Sequence, residues 1–402
     1  MPSLNAPGPR LTVTTPALSG QLLPIAAQIR MSEAVHQIAS LTVLTPLSRD
    51  RQLLDSTVPA SLVLPEGTAI SFVFGSGSTD TAVWCGYVAS RQVQHTKTSA
   101  TNAMSPVVPV VYTCTGISMP MQSAKSRAYT GITASSAARN VINSYGIAAY
   151  IQPHPRIWPA LAQGTASDFV WLTQLASMIG YRLIVDVDRI AFVPAETDLT
   201  PSTVVEPVYT RNVTPGVYDT LIAFDSSSGQ TDPSGTVVAT QQSYAVRQAS
   251  GNPQSVAASP QITLGNGAVA SPYFTQIATG TAQSYSDAAY NAQAATSAAR
   301  YWVYADATVD GYTALRPGRT VRLAGSGLSA ADQGAWRIST VTHSINLSPL
   351  GRTTGTYYAQ LELGRDQYAD LDVATPHPPL GRAAAMTLSG GHWISPGAGG
   401  GT

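Results

Sequence analysis

The side chains of this 402-residue chain that could do chemistry are its six histidines, its two cysteines and one close pair of aspartates. His36, His95, His154, His343, His377 and His392 make no H-E-x-x-H or H-x-x-x-H pattern, the spacing that sets two imidazoles on one helical face for zinc. His154 and His377 each stand between prolines, which fits rigid loops better than ligand shells. His343 follows a strand-like run and reads as a packed or surface histidine. Cys85 with a distant histidine would be a thiol nucleophile, which needs an exposed, activated thiolate. Its flanks, Trp84 and Gly86-Tyr87-Val88, read as a buried strand instead. Asp186 and Asp188 could act as a carboxylate pair, but that spacing is also the ordinary composition of a β-turn. No G-x-S-x-G elbow, Walker loop or G-x-G-x-x-G is present, and Gly75-Ser-Gly77 and Gly325-Ser-Gly327 read as hairpin turns. The expectation is a chain that is not an enzyme, with no catalytic, cofactor-binding or metal-ligating residues.

The elements that would position side chains are clearest in the middle. Over Gly164–Val185, Ser167 or Asp168 can cap a helix. Leu172, Leu175, Ala176 and Ile179 repeat at i, i+3, i+4, i+7 on one face. Gly180 stands where a left-handed C′ residue is wanted. Tyr181–Val185 then reads as a strand, 186–189 as a turn, and Ile190–Val193 as the return. Upstream, Ser135 or Ser136 caps a helix carrying Ala138, Val141, Ile142 and Tyr145 and ended by Gly146. A Pro-rich link, Gln152–Pro159, joins the two. Residues 119–200 are therefore expected to form a small α/β domain.

Both flanks read as β. Residues 1–118 contain Leu11–Val13, Leu41–Leu44, Ala69–Phe74, Thr81–Val88 and Val107–Cys114 as strands, with Pro109 marking an edge or bulge. Residues 201–375 contain Asp219–Phe224, Thr320–Leu323, Trp336–His343 and Tyr357–Leu363. Residues 225–235 and 249–272 read as loops. A helix runs from Ser284 or Ser286 to Trp302, with Ala288, Ala292, Ala295, Ala299 and Trp302 as a narrow stripe that would let it sit close on a sheet. Residues 376–402 read as a flexible Pro/Gly-rich tail. The fold class is mainly β with an α/β insert.

Two hairpins look alike. Glu66-Gly67-Thr68-Ala69-Ile70-Ser71-Phe72 leads through a Gly/Ser turn to Trp84-Cys85-Gly86-Tyr87-Val88. Pro317-Gly318-Arg319-Thr320-Val321-Arg322-Leu323 leads through another to Gly334-Ala335-Trp336-Arg337-Ile338. Three copies of a chain with two similar units would give a ring of six.

Composition narrows the class. Charged residues are 11%, against the roughly 25% usual in soluble domains, which fits either a chain whose surface is covered in an assembly or a neutral β-rich monomer. Net charge is zero and the only lysines are Lys97 and Lys125. A duplex-binding face should be strongly basic, so sequence-independent DNA affinity is not expected; a conduit for DNA should avoid gripping phosphates. Cys85 and Cys114 lie in strand-like runs that neighbouring pairing could bring together, but two buried thiols of a reducing compartment is the favoured reading. No signal peptide is expected from Met1-Pro-Ser-Leu-Asn5, and no apolar run approaches a membrane span.

The block Gly164-x-x-Ser167-Asp168-Phe169-x-x-Leu172-x-x-Leu175-Ala176-x-x-x-Gly180-Tyr181-Arg182 resembles the middle of phage tail hub proteins. This late control D family includes the hubs of contractile baseplates and of type VI secretion spikes. Arg316-Pro317-Gly318-Arg319-Thr320-Val321-Arg322-Leu323 and Val341-Thr342-His343-Ser344-Ile345 are similar to two further stretches of that family. The resemblance implies two tube-type β-barrel domains flanking a small α/β domain and a homotrimer at the tail tip. It implies contact with a tail tube or distal tail protein above, a spike below and a tape-measure protein near a lumen through which DNA passes. It places the chain in the virion, assembled in the bacterial host cytoplasm. This chain departs from some hubs in carrying no fused lysozyme or spike, so the spike would be a separate chain, with the segment after Thr375 as its tether. The alternatives are a tail-tip cell-wall hydrolase or adhesin, and a distal-tail or tube protein with one barrel per chain.

Overall fold

The computed structural model describes residues 12–14, 28–35, 40–48, 65–74, 82–93, 107–201, 206–214, 219–228, 237–242, 255–258, 276–278, 290, 291, 294, 297, 301, 303–346, 356–365, 387–389 and 392–394. The first β region contains β1 (Thr12–Thr14), β2 (Gln28–Ala34), β3 (Ser40–Ser48), β4 (Ala69–Phe74), β5 (Ala82–Val93) and β6 (Val107–Gly116). The mixed segment contains β7 (Ala128–Thr133), α1 (Ala134–Asn143), β8 (Ala148–Ile151), β9 (Ile157–Ala162), α2 (Asp168–Met178), β10 (Tyr181–Val185) and β11 (Arg189–Pro194). Then follow β12 (Val208–Thr210), β13 (Leu221–Ser228), β14 (Val237–Gln242), β15 (Ser255–Ala258), β16 (Gln276–Ala278), β17 (Val303–Asp310), β18 (Thr320–Ala324), β19 (Gly334–Asn346), β20 (Thr356–Arg365), β21 (Thr387–Ser389) and β22 (His392–Ile394).

The protein is mainly β, as its alternating runs require. Strands of both expected β domains share one 12-stranded sheet. Its order is β1-β4-β5-β6-β3-β2-β19-β20-β17-β13, with β18 on β19 and β12 on β18. The seam is β2 against β19, antiparallel from Thr340↔Ala34 to Asn346↔Gln28. No sequence pattern flagged β2. The C-terminal half of the sheet curls, and Thr220, just before β13, bonds to the end of β12: Thr220 N donates to Thr210 O (3.1 Å) and Thr210 N to Thr220 Oγ1 (2.9 Å). Inside this curl Val309, Leu315, Val321, Leu323, Trp336 and Ile338 are fully buried.

The two similar hairpins are alike down to their hydrogen bonds. Gly67 and Gly318 both take left-handed φ, +79° and +81°. Gly67 N donates to Val88 O, and Gly318 N to Ile338 O, each at 2.8 Å; Val88 N returns to Thr68 O, and Ile338 N to Arg319 O, each at 2.9 Å. A bulge follows in both, between Val88 and Ser90 and between Ile338 and Thr340. The tryptophans of the two return strands are not in register. Trp336 faces Val321, whereas the matching Ile70 faces Gly86 and Trp84 stands two pairs on, opposite Phe72. A Cβ on Gly86 would lie 2.4 Å from the Trp84 ring, so Trp84 covers the residue that corresponds to Trp336.

The mixed segment folds much as its periodicity dictates. Ser167 caps α2 by accepting from Val170 N, Leu172, Leu175, Ala176 and Ile179 are buried, and Gly180 has φ +71°. Each of those large side chains contributes about 1.5–3 kcal/mol by leaving water. They join Val141, Ile142, Leu183 and Phe192 in one core, on which Ala69, Cys85 and Tyr87 of the first β region also pack. The cap of α1 differs from the expectation. Thr133, extended at the end of β7, accepts from Ser136 N (3.1 Å), and Ser135 and Ser136 lie inside the helix. Part of the Pro-rich link is strand β9, paired with β7.

Other expectations shift. Pro109 lies in β6 between two neighbours, but pairing with β5 stops at Val110, so at Pro109 only β3 is opposite. The segment expected as the loop 249–272 contains β15, which pairs with β14 in a small sheet completed by β16. Of the expected helix 284–302, Tyr290, Asn291, Ala294 and Ser297 are helical and Tyr301 lies past its end. The stripe Ala288, Ala292, Ala295, Ala299 and Trp302 falls outside the described residues. The close approach is made by Ala294 and Ser297, against Gly180, where a Cβ would lie 2.9 Å from both. In the segment expected as a tail, β21 and β22 form a hairpin, and Ile394 packs at Gly146.

Candidate functional site: a buried ionic junction of three segments

The P-G turn of the second hairpin is pressed against the mixed segment. A Cβ on Gly318 would meet Ile184 Cδ1 at 2.7 Å and Leu199 Cδ1 at 2.9 Å. This close seating brings three arginines of the hairpin each to a carboxylate from elsewhere. Arg316 pairs with Glu33 of β2, and both side chains are buried. Arg319 pairs with Asp186 of the β10–β11 turn at 3.3 Å. Arg337 of β19 pairs with Asp198, after β11, at 2.7 Å. One turn thus ties together the first β region, the mixed segment and the C-terminal strands.

Hydrogen bonds complete the set. Arg337 also donates to Gly318 O (2.9 Å) and Glu196 O (3.3 Å). Asp198 accepts from Thr200 N, Thr200 Oγ1 and Thr320 Oγ1 at 2.7–2.9 Å. His343 lies on the seam strand, with Nε2 3.1 Å from Leu315 O and Nδ1 3.0 Å from the Tyr357 hydroxyl. That fits a neutral ring donating from Nε2 and accepting from Tyr357. Burial, with the nearby Arg316 charge, pushes its pKa down to about 3. Burial raises the Glu33 carboxyl above its usual range despite the opposing pull of Arg316. Burial also works upward on Asp186, but Arg319 and Arg316 outweigh it and hold that carboxyl low.

A second buried carboxylate anchors α2. Asp168, in the first helical turn where a negative charge is favoured, accepts from Arg127 Nε and Nη2 (3.1 and 3.0 Å), Tyr145 (2.5 Å) and Gln163 (2.7 Å). Burial alone would raise its pKa, yet these donors hold it below the ordinary value.

The residues singled out by type and spacing are dispersed. Asp186 and Asp188 do not form a carboxylate pair: Asp186 faces Arg319, while Asp188 holds Arg189 at 2.8 Å. Cys85 and Cys114 are separate, buried, free thiols, with Cys114 opposite Val88, and burial pushes each thiol up to about 12. His154 is buried, its N–H donating to Ser135 Oγ and its Nδ1 accepting from Arg156 N. His36, His95 and His377 lie outside the described residues, as does the His392 side chain. Among the described residues no group of three or more His, Cys, Asp and Glu could hold a metal ion. No helix of the described residues is long and apolar enough to cross a membrane. Asp186 and His343 were singled out from sequence for other roles, and Arg316, Arg319 and Arg337 only as parts of motifs; their ion pairing, and Glu33 and Asp198, were not anticipated. Arg337, between the inward-facing Trp336 and Ile338, takes the face that an alternating strand ordinarily gives to solvent, and only the packing of the mixed segment on that face buries it.

The fold is similar to those of solved tail proteins and of a secretion-machine component. It is similar to the tail protein from Neisseria meningitidis MC58 at 10% identity, covering 89% of this chain and 97% of that one, with a TM-score of 0.60. It is similar to the 43 kDa tail protein of prophage MuSo2 from Shewanella oneidensis at 12% identity, covering 90% and 99%, with a TM-score of 0.58. It is also similar to the E. coli c3393 protein, a component of the type VI secretion system, at 11% identity, covering 94% and 82%, with a TM-score of 0.51. At such identities the likeness is one of fold. No curated protein matches the sequence. By sequence, residues 23–346 match the family model described as the Alg8 N-terminal domain, and the chain belongs to that family. This description is not that of the tail hub family its motifs resemble.

Proposed function

We propose that the chain is a structural hub at the tail tip of a phage or related injection machine. The observation that carries this reading is the fold shared with two tail proteins along nearly their whole lengths. The duplicated hairpin supports two similar barrel units per chain, 1–118 and 201–375, around an α/β unit, 119–200, with 376–402 as a tail. In this reading three copies form a ring of six similar lobes, matching a sixfold tail tube or distal tail protein to a separate threefold spike. The lumen passes DNA without specific binding and lies near the tape-measure protein. The chain is not an enzyme and works in the virion, at its tail tip or baseplate. The ionic junction would then help to hold the units at a fixed angle, since Arg316–Glu33 joins the two β regions while Arg319 and Arg337 tie the second of them to the α/β unit.

The test is the symmetry of the ring that contains this chain, read from cryo-EM class averages of assembled tail tips. Three copies giving six lobes is the expected result. Six copies with one barrel each would transfer the chain to the tube or distal-tail class. Peptidoglycan release by the purified protein would favour a hydrolase.

A further inference from the structure

On the outward face of the curled sheet, Asp225 of β13 stands opposite Asp306 of β17, and Asp306 opposite Glu362 of β20. All three are exposed. Like charges directly opposite one another weaken a ladder, and none of the ion pairs among the described residues involves these carboxylates. They lie along a groove of about 420 Å3 that crosses from β13 to β2, with Thr308, Gln360 and Thr342 along it and Arg30 of β2 among its lining residues. A second feature of the same face is independent of charge. Tyr304, two residues before Asp306 and so on the same side of β17, is 50% exposed, and Ile222, at the β13 bulge, is 53% exposed. Tyrosine is among the residue types enriched where proteins bind one another.

We propose that this sheet face docks an extended cationic segment of a partner polypeptide. Its arginines or lysines lie over the Asp225–Asp306–Glu362 row, offsetting the repulsion between these neighbouring carboxylates. Its apolar side chains rest on Tyr304 and Ile222, and the threonine and glutamine side chains along the groove meet its backbone. Nucleic acid is the wrong class of partner for the row, because three carboxylates against one guanidinium repel phosphates.

The experiment uses the full chain and a fluorescent decapeptide of alternating arginine and valine, by anisotropy at low and moderate salt. The wild type is expected to bind, with an affinity that falls as salt rises. Asp225→Asn/Asp306→Asn/Glu362→Gln should bind at least tenfold more weakly, and Tyr304→Ser/Ile222→Ser at least threefold. The charge-neutral variant should melt at or above the wild-type temperature, since it loses only repulsion, so its weak binding would not be unfolding. No binding by the wild type, equal binding by the charge-neutral variant, or a single-stranded oligonucleotide binding in place of the peptide would overturn the proposal. None of these outcomes depends on how many copies the ring contains, so the docking face and the hub reading fail separately.

Discussion

Arg316→Met tests the junction where it is most exposed to failure. The substitution keeps a long apolar stem and removes the guanidinium, leaving Glu33, only 3% exposed, with no counter-charge. Glu33 Oε2 already lacks a hydrogen-bond partner, so both carboxylate oxygens would be bare. Removing one partner of a buried pair costs about 3–5 kcal/mol. Burial already lifts the Glu33 carboxyl against the pull of Arg316. Without that pull the folded state holds the proton more tightly than the unfolded chain does. The loss should therefore be greatest above the folded-state titration of Glu33 and should shrink as pH falls through it. The other charged groups bearing on Glu33, Asp186 and Arg319, remain paired with each other. Glu33→Leu/Arg316→Met should recover most of the loss, because a buried pair replaced by apolar side chains is often neutral, giving a coupling of about 2 kcal/mol or more. The assay is urea unfolding followed by tryptophan fluorescence, with Trp336 buried in the adjoining core, comparing midpoints at unchanged slope. A loss under about 1 kcal/mol for Arg316→Met, or a double variant no more stable than the single one, would refute the reasoning.

Two further outcomes follow from the same geometry. His343 is held neutral with its pKa lowered to about 3, so the unfolded chain binds the extra proton first as pH falls below about 6.5. Stability should drop by up to about 1.4 kcal/mol per pH unit from that site until pH 3, and His343→Gln should flatten the slope between pH 7 and 5 in thermal unfolding, whatever its effect at pH 7. Gly180→Ala meets both a left-handed backbone and the Ala294 backbone at 2.9 Å. It should cost about 2–4 kcal/mol and speed amide exchange around Ala294 and β10; a melting temperature equal to wild type would show that the helix is not seated on Gly180.

The sequence by itself determined the local structure wherever one period governs a segment. The α2–β10–β11 block was legible to within a residue, because Leu172, Leu175, Ala176 and Ile179 report a helical face and Gly180 its end. The duplicated hairpins were legible too, because each needs a glycine at a left-handed turn, and Gly67 and Gly318 supply it. What sequence could not reach was the company these elements keep. The β2–β19 seam joins Met31 to His343 across more than three hundred residues, and hydrogen bonds between backbones leave no mark on side-chain order. The fit of Trp84 over Gly86 against Trp336 in its own register is likewise invisible, since one aromatic can fill a space from either of two positions. The ionic junction belongs to the tertiary structure for the same reason. Glu33, Asp186 and Asp198 look like ordinary polar residues in their own segments. Burial turns each into a partner that its arginine cannot lose cheaply, and burial is decided only when the P-G turn closes on the mixed segment.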